Sequence, residues 1–449
     1  MMIQIRILRN LQLVAGLFLA IVSGCVKGQQ PPNAATYQSI DEYTVRVLLD
    51  DKVTNASLRM DGPYKIINVD TTEVFPIQTT GETLNIELQP DGIKAGFQLF
   101  KTKRLIIEPQ RPMPLKINNQ SYRGSIEFKI NDDSNTPNMM IINNVSLESY
   151  LMGVVAAEMP SYWDAEALKA QAIASRTYCL YIKSKFGKNR SWDVKATQAN
   201  QVYKGVSAET LRTTNAVAAT TGMVLCCGNE YGDCVPFGAY YSSVCGGHTE
   251  NAQDVFGESS PALIGVDCPY CRQITRPDIF YWPMAKFDKK YVSQQLISRY
   301  PSLKELGKIE KIEVERENIY DSTVLSNGLL PQTSAFKRIV SVRLTGSPQT
   351  SSAATRKYIE PNSPQAAGKT MLLRAEDMRL AIDPTGTKIQ SMCCTILNTQ
   401  NEIIFVNGIG FGHGVGLCQY GARQMARDGK TAEQILGYYY PNSRIKILY

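Results

Sequence analysis

The chain has 449 residues, with 48 Lys and Arg against 41 Asp and Glu, for a formal net charge of +7. That mild balance contains no dense basic run, so it suits an anionic polymer and gives no support to nucleic-acid binding. Hydrophobic residues make up 43%, an ordinary globular share, and the length accommodates roughly two or three domains.

At the N-terminus, Arg6 and Arg9 precede a short apolar run, Leu11 to Val22, that ends in Ser23-Gly24-Cys25. The run is too short for a comfortable membrane span. This pattern looks like the lipobox of bacterial lipoproteins. Residues 1–24 are then a signal peptide, and the Cys25 thiol receives the lipid. An ordinary secretory signal with Cys25 as a bystander is the alternative. Residues 25–42 read as a polar tether to the membrane. Export permits disulfides, and the chain has 11 Cys, whose pairing the sequence does not give.

Residues 43–143 read as short strands: YTVRVLLDD, ASLRMDG, YKIINVD, LNIELQ, RLIIEP and SIEFKI. Turn residues such as Asp61-Gly62-Pro63 and Asp91-Gly92 separate them. The spacing then predicts two helices joined at Pro160. Leu147, Tyr150, Leu151, Val154 and Val155 form one apolar face. Continued by four from Val154, the stripe lands on Glu158, whose carboxylate therefore points inward. The helix C-terminus and burial both disfavour its charged form and raise its pKa, as a general acid near neutrality requires. The competing reading is a buried ion pair, with Arg176 as partner. The second helix caps at Asp164, with Glu166 in its first turn and Leu168, Ala172, Ser175, Cys179 and Ile182 as its buried stripe.

Residues 235–271 mix strand and loop. Residues 276–395 hold a helix from about Lys289 to Gly307 and then strands such as KIEKIEVER and KRIVSVRLTG. Cys245-x2-His248 and Cys268-x2-Cys271 give a Cys3His set of two close pairs, the usual way to hold structural zinc. The alternatives are a Cys268–Cys271 or Cys245–Cys234 disulfide, with His248 facing a groove. Gly408 to Gly416 alternates glycines around His413, which suits close approach to a strand backbone and fits no dinucleotide fingerprint. His413 reads equally as a backbone-bonded turn residue, a sugar contact or a partner of Glu158. With 2 His in the chain, a Ser–His triad or a His-based catalytic zinc has little to draw on.

Three blocks in order carry a family likeness: SYLMGVVAAEMPSYWDAEALKAQAIASRTY at 149–178, YYSSVCGGHTENAQDVFG at 240–257, and GFGHGVGLCQYGARQMARDGKTAEQILGYYYP at 410–441. They resemble the stage II sporulation protein D family, which includes the LytB amidase enhancers. The resemblance implies a lytic transglycosylase that cuts the MurNAc–GlcNAc bonds of peptidoglycan strands stripped of stem peptides. Glu158 falls on the family's proposed catalyst. Gln171, Arg176, Tyr241, Ser243, His413, Gln419 and Tyr420, within the same blocks, are the expected substrate contacts. A possible amidase partner and a cell-envelope location follow from the same likeness. The expected fold is α+β: a β-rich domain at 43–143, a family-like catalytic core at 144–275, an inserted α/β region at 276–395, and the rest of the catalytic domain at 396–449. The resemblance also implies, for some family members, a zinc site just after the second helix. Here DVKATQANQVYKG has neither Cys nor His.

Overall fold

The computed structural model describes residues 43–78, 81–132, 134–228, 234–320, 336–347 and 370–449. The expected signal peptide, tether and lipid-bearing Cys25 lie outside them. Most of the Ser/Thr/Pro-rich stretch around 347–368 does so too.

Period-2 burial builds the first half. A seven-stranded sheet runs in the order 194–195, 44–53, 139–146, 125–130, 104–109, 64–68, 74–77. Val45, Val47, Leu105, Ile107, Ile126 and Phe128 fill its buried face, and intervening residues are less buried, as half-exposed strands require. A six-stranded sheet formed by segments between Asn55 and Tyr122 accompanies it. The edge strand Val194–Lys195 pairs parallel to Val47–Leu48, so a segment from beyond the helical pair completes the first sheet.

Strand Met139–Ser146 leads directly into helix α1 (Leu147–Glu158), whose N-cap Ser146 accepts from the Ser149 N–H. The expected apolar face of α1 is buried, and the helix stops at Glu158, with Met159 as C-cap and Pro160 beyond. Helix α2 (Ala165–Phe186) is buried almost all round from Ala170 to Cys179. It packs against α1, the Leu211–Ala218 helix, the Gln419–Arg427 and Ala432–Tyr439 helices and strand Met223–Gly228. Ala170, Ala172, Ala174 and Ser175 leave these elements room to approach. In the first turn of α2, Glu166 accepts from the Ala432 N–H at 2.8 Å, closing the chain's end onto its middle.

The region after residue 276 has its own core, with Trp282, Phe287, Val292, Leu296, Ile309, Val342, Leu344, Met378 and Ile382 among its buried residues. Ile403 and Phe405 belong to the same core, because strand Glu402–Val406 pairs with both Ala285–Asp288 and Thr395–Asn398. The expected helix there is shorter than the sequence suggested. It ends at Arg299, and Pro301–Leu306 is a 3-10 turn. Pro301 forces Tyr300 out of the helical region (φ −129, ψ 85). The chain is thus α+β, with sheets and helices segregated along much of its length. Among the described residues no helix is long and apolar enough to cross a membrane.

Candidate active site

Glu158 is half-buried at the end of α1. Its Oε1 accepts from the Val202 N–H at 2.7 Å, and the Tyr241 hydroxyl also hydrogen-bonds the carboxyl. Burial pushes its pKa up to about 7, although both hydrogen bonds pull the other way. The shift arises from desolvation and not from a neighbouring acid. The ion-pair alternative fails on geometry. Arg176 is fully buried and grips Glu148 through two 2.7 Å bonds, with a third bond to the Met223 carbonyl. The expectation that Arg176 touches substrate is therefore corrected: its guanidinium is sealed into the helix packing.

A continuous hydrogen-bond path orients Tyr241. Gln201, fully buried, donates to the Tyr241 hydroxyl oxygen at 3.1 Å and to the Ser175 carbonyl at 3.2 Å, and accepts from the Tyr150 hydroxyl at 3.2 Å. So held, the Tyr241 hydroxyl faces the Glu158 carboxyl. On the other side, Gln419 donates to the Glu158 carbonyl and to Gln171 Oε1, each at 3.2 Å. Gln171 passes the link to Ser175 Oγ at 2.9 Å. Gln171 is fully buried, so it supports the site from behind and does not contact substrate. Ser243 accepts the Tyr420 N–H through its carbonyl at 3.1 Å, and Tyr420 stands edge-on to the buried Trp163 at 4.8 Å.

His413 makes no hydrogen bond to Glu158. Its Nδ1 accepts from the Val415 N–H at 3.0 Å, its ring also hydrogen-bonds the Tyr241 backbone, and Phe256 and Tyr240 flank it. Burial lowers its pKa to about 4, so it is neutral at physiological pH and fixes the backbone that carries Tyr241. The expectation that the alternate glycines lie on a strand is corrected: among them only Gly408–Ile409 is strand. Gly410, Gly412, Gly414 and Gly416 all have positive φ (80, 102, 78 and 72). Their near neighbours are the chain's own. A Cβ on Gly416 would lie 2.1 Å from the Tyr240 carbonyl oxygen.

The metal expectation is half corrected. The thiols of Cys245, Cys268 and Cys271 do converge, but the fourth member is Cys418, and all four Sγ atoms lie within 4.8 Å of one another. This buried group could hold a metal. His248 sits apart, its ring stacked on Tyr320 at 3.6 Å and its Nδ1 bonded to the Thr249 carbonyl. Cys234 is disulfide-bonded to Cys226, which removes it as a partner for Cys245.

Sequence reasoning missed Gln201, Val202, Arg338 and Glu250. Gln201 and Val202 lie in an irregular segment with no periodicity to read. Arg338 and Glu250 are almost fully buried and ion-paired at 3.1 Å. Arg338 also donates to the carbonyls of Cys245 (2.9 Å), His413 (3.3 Å) and Gly412 (3.4 Å). A strand of the 276–395 region thereby pins both loops behind the site.

A family model described as stage II sporulation protein matches residues 135–226, which contain α1, α2 and the Gln201–Val202 loop. Stage II sporulation protein D of Bacillus subtilis is 30% identical over 323 residues, covering 68% of this chain and 75% of that protein. The chain belongs to the stage II sporulation protein D family. An uncharacterized protein of Brachyspira hyodysenteriae is 28% identical over 411 residues, 90% of this chain and 93% of that one. The amidase enhancer of Bacillus subtilis is 28% identical over 303 residues, 66% of this chain and 40% of that longer relative. Family membership, therefore, reaches well beyond the helical pair.

The raised pKa of Glu158 has a stability consequence. Its protonated form is favoured in the folded state, so that contribution is fully present below about pH 4.5 and is lost as pH rises through about 7. Glu158→Gln should therefore gain on the wild type by about 3 kcal/mol between pH 4 and pH 9. Urea unfolding at both pH values reads this directly, and a pH-independent difference would place the folded pKa near its ordinary value.

Proposed function

We propose that this family member acts at the cell wall as a lytic transglycosylase on peptidoglycan glycan strands lacking stem peptides. Glu158 protonates the oxygen that leaves the MurNAc–GlcNAc linkage. The resulting carboxylate then takes the proton of the sugar's own C6 hydroxyl, which closes a 1,6-anhydro ring. The observation that carries this reading is Glu158 itself: a carboxyl group with a pKa of about 7 and no acidic neighbour among the causes of its shift. A glycosidase that hydrolyses the bond needs a second carboxylate at a set distance. A reaction that uses the substrate's hydroxyl needs one group able to give and then take a proton. Tyr241 stabilises the charged form in mid-cycle and keeps the pKa from rising further. The thiol cluster would take no part in proton transfer, since its positions are all filled by protein.

Through a lipid on Cys25 the enzyme would face the wall from a membrane. A second reading, in which the protein binds wall and stimulates a partner amidase without cutting glycan, draws support from the relative named amidase enhancer. Amidase-stripped glycan incubated with purified protein and analysed by mass spectrometry separates the two. New 1,6-anhydro ends support cleavage, whereas amidase stimulation with no new ends supports the second reading.

The first step needs protonated Glu158, so kcat/KM should fall as pH rises through about 7. Tyr241→Phe removes a donor to the carboxylate, and the midpoint of that limb should move to higher pH. A midpoint that stays in place or moves down would remove Tyr241 from the mechanism.

A further inference from the structure

Four buried cysteines meet behind the site from three distant parts of the chain. Cys245 ends the segment that carries Tyr241. Cys268 and Cys271 come from one turn, and Cys418 immediately precedes Gln419, at the start of the Gln419–Arg427 helix. All four are almost fully inaccessible, and none is disulfide-bonded. We propose that Cys245, Cys268, Cys271 and Cys418 bind one zinc ion as a closed tetrathiolate centre that clamps these three segments together.

The geometry is that of a metal site. Thiolates about 2.3 Å from a tetrahedral zinc lie about 3.8 Å apart. The Cys245 and Cys271 sulfurs are 3.8 Å apart, and no pair in the group exceeds 4.8 Å. Donors also surround the sulfurs, as thiolates in a metal site require. The Cys245 N–H points at Cys418 Sγ at 3.3 Å, and the Tyr439 hydroxyl lies 3.1 Å from Cys268 Sγ. Gly421 leaves room for that contact, since a Cβ there would lie 2.8 Å from Cys268 Sγ and 2.0 Å from the Tyr439 hydroxyl. Each thiol would give up its proton on binding the ion. Sulfur ligands on all sides suit zinc, and a site with all positions filled by protein is structural.

The clamp bears on Glu158 from two directions. Residues Tyr241–Ser242 pair in parallel with Leu417–Cys418. Tyr241 donates to the Glu158 carboxyl, and Gln419 to its carbonyl. The zinc centre would fix the register of this pair, and this consequence rests on reading Glu158 as the catalyst.

Elemental analysis of the full chain purified under reducing conditions should find about one zinc per protein. His248→Ala should keep the metal, whereas Cys268→Ser and Cys418→Ser should each lose most of it. Cobalt exchanged into the wild type should give the charge-transfer and ligand-field bands of a tetrahedral tetrathiolate. Should the serine variants fail to fold, chelator treatment of the wild type decides. The four thiols should resist alkylation before chelation and react after it. Iron in place of zinc, two disulfides among these cysteines, or metal lost in His248→Ala and kept in Cys418→Ser would overturn the proposal. Metal content is read without any glycan assay, and Glu158→Gln should retain the ion, so failure of the clamp and failure of the catalytic reading are distinguishable.

Discussion

Glu158→Gln is expected to lower formation of 1,6-anhydro ends by about 10²–10⁴-fold, the range that a positioned acid–base group contributes. The amide keeps the side chain's size, and its oxygen can still accept the Val202 N–H that now meets Oε1 at 2.7 Å. It has no proton of suitable acidity for the leaving oxygen and cannot take one from a sugar hydroxyl. Because burial in the folded protein disfavours the charged form of this carboxyl, the neutral amide should fold at least as well, so lost activity is not lost structure. Circular dichroism and an unfolding curve beside the glycan assay check both halves. A folded variant with wild-type cutting would sink the mechanism.

Arg338→Met should destabilise the protein by about 3–5 kcal/mol, the range for stranding one member of a buried ion pair. Glu250 would keep Asn318 and Tyr320 as donors, at 3.0 and 2.7 Å, but would lose the counter-charge that faces its other oxygen. Three backbone carbonyls, those of Cys245, Gly412 and His413, would lose a donor as well. The double variant Arg338→Met with Glu250→Leu removes both charges and should recover part of the loss. Urea unfolding of the single and double variants measures the difference. If Arg338→Met unfolds like the wild type, the pair contributes nothing to holding the loops.

The helical pair was legible because helix periodicity reports burial directly. The stripe through Val154 places Glu158 correctly, and the halt at Pro160 follows from backbone sterics. The N-terminal strands were equally readable from their β-branched runs and turn residues. Other features depend on quantities that spacing does not carry. Alternate glycines fit a strand, but the observed chain alternates the sign of φ, which only coordinates reveal. Cys418 is 173 positions from Cys245, so local ligand spacing favoured His248, which is close in sequence but stacks on Tyr320. Arg176 reads as a partner for Glu158, yet it pairs with Glu148 at the opposite end of α1. Arg338 lies in an ordinary strand pattern, and nothing nearby in sequence marks its buried partner.

The bond from Gln419 to the Glu158 carbonyl spans 261 positions, and that from Ala432 to Glu166 spans 266. Strand Arg444–Ile447, almost the last residues, pairs with Met223–Cys226. Closing such long loops is entropically slow and comes late in folding. A chain emerging from its N-terminus therefore has Glu158 in hand long before it has the Gln419 and Tyr439 segments that finish the site. Until then the Glu158 carbonyl lacks the donor that Gln419 supplies. The support behind Glu158 is in this way completed only by the last part of the chain, so under the proposed function a truncation before Gln419 would remove part of the scaffold that holds the acid in place.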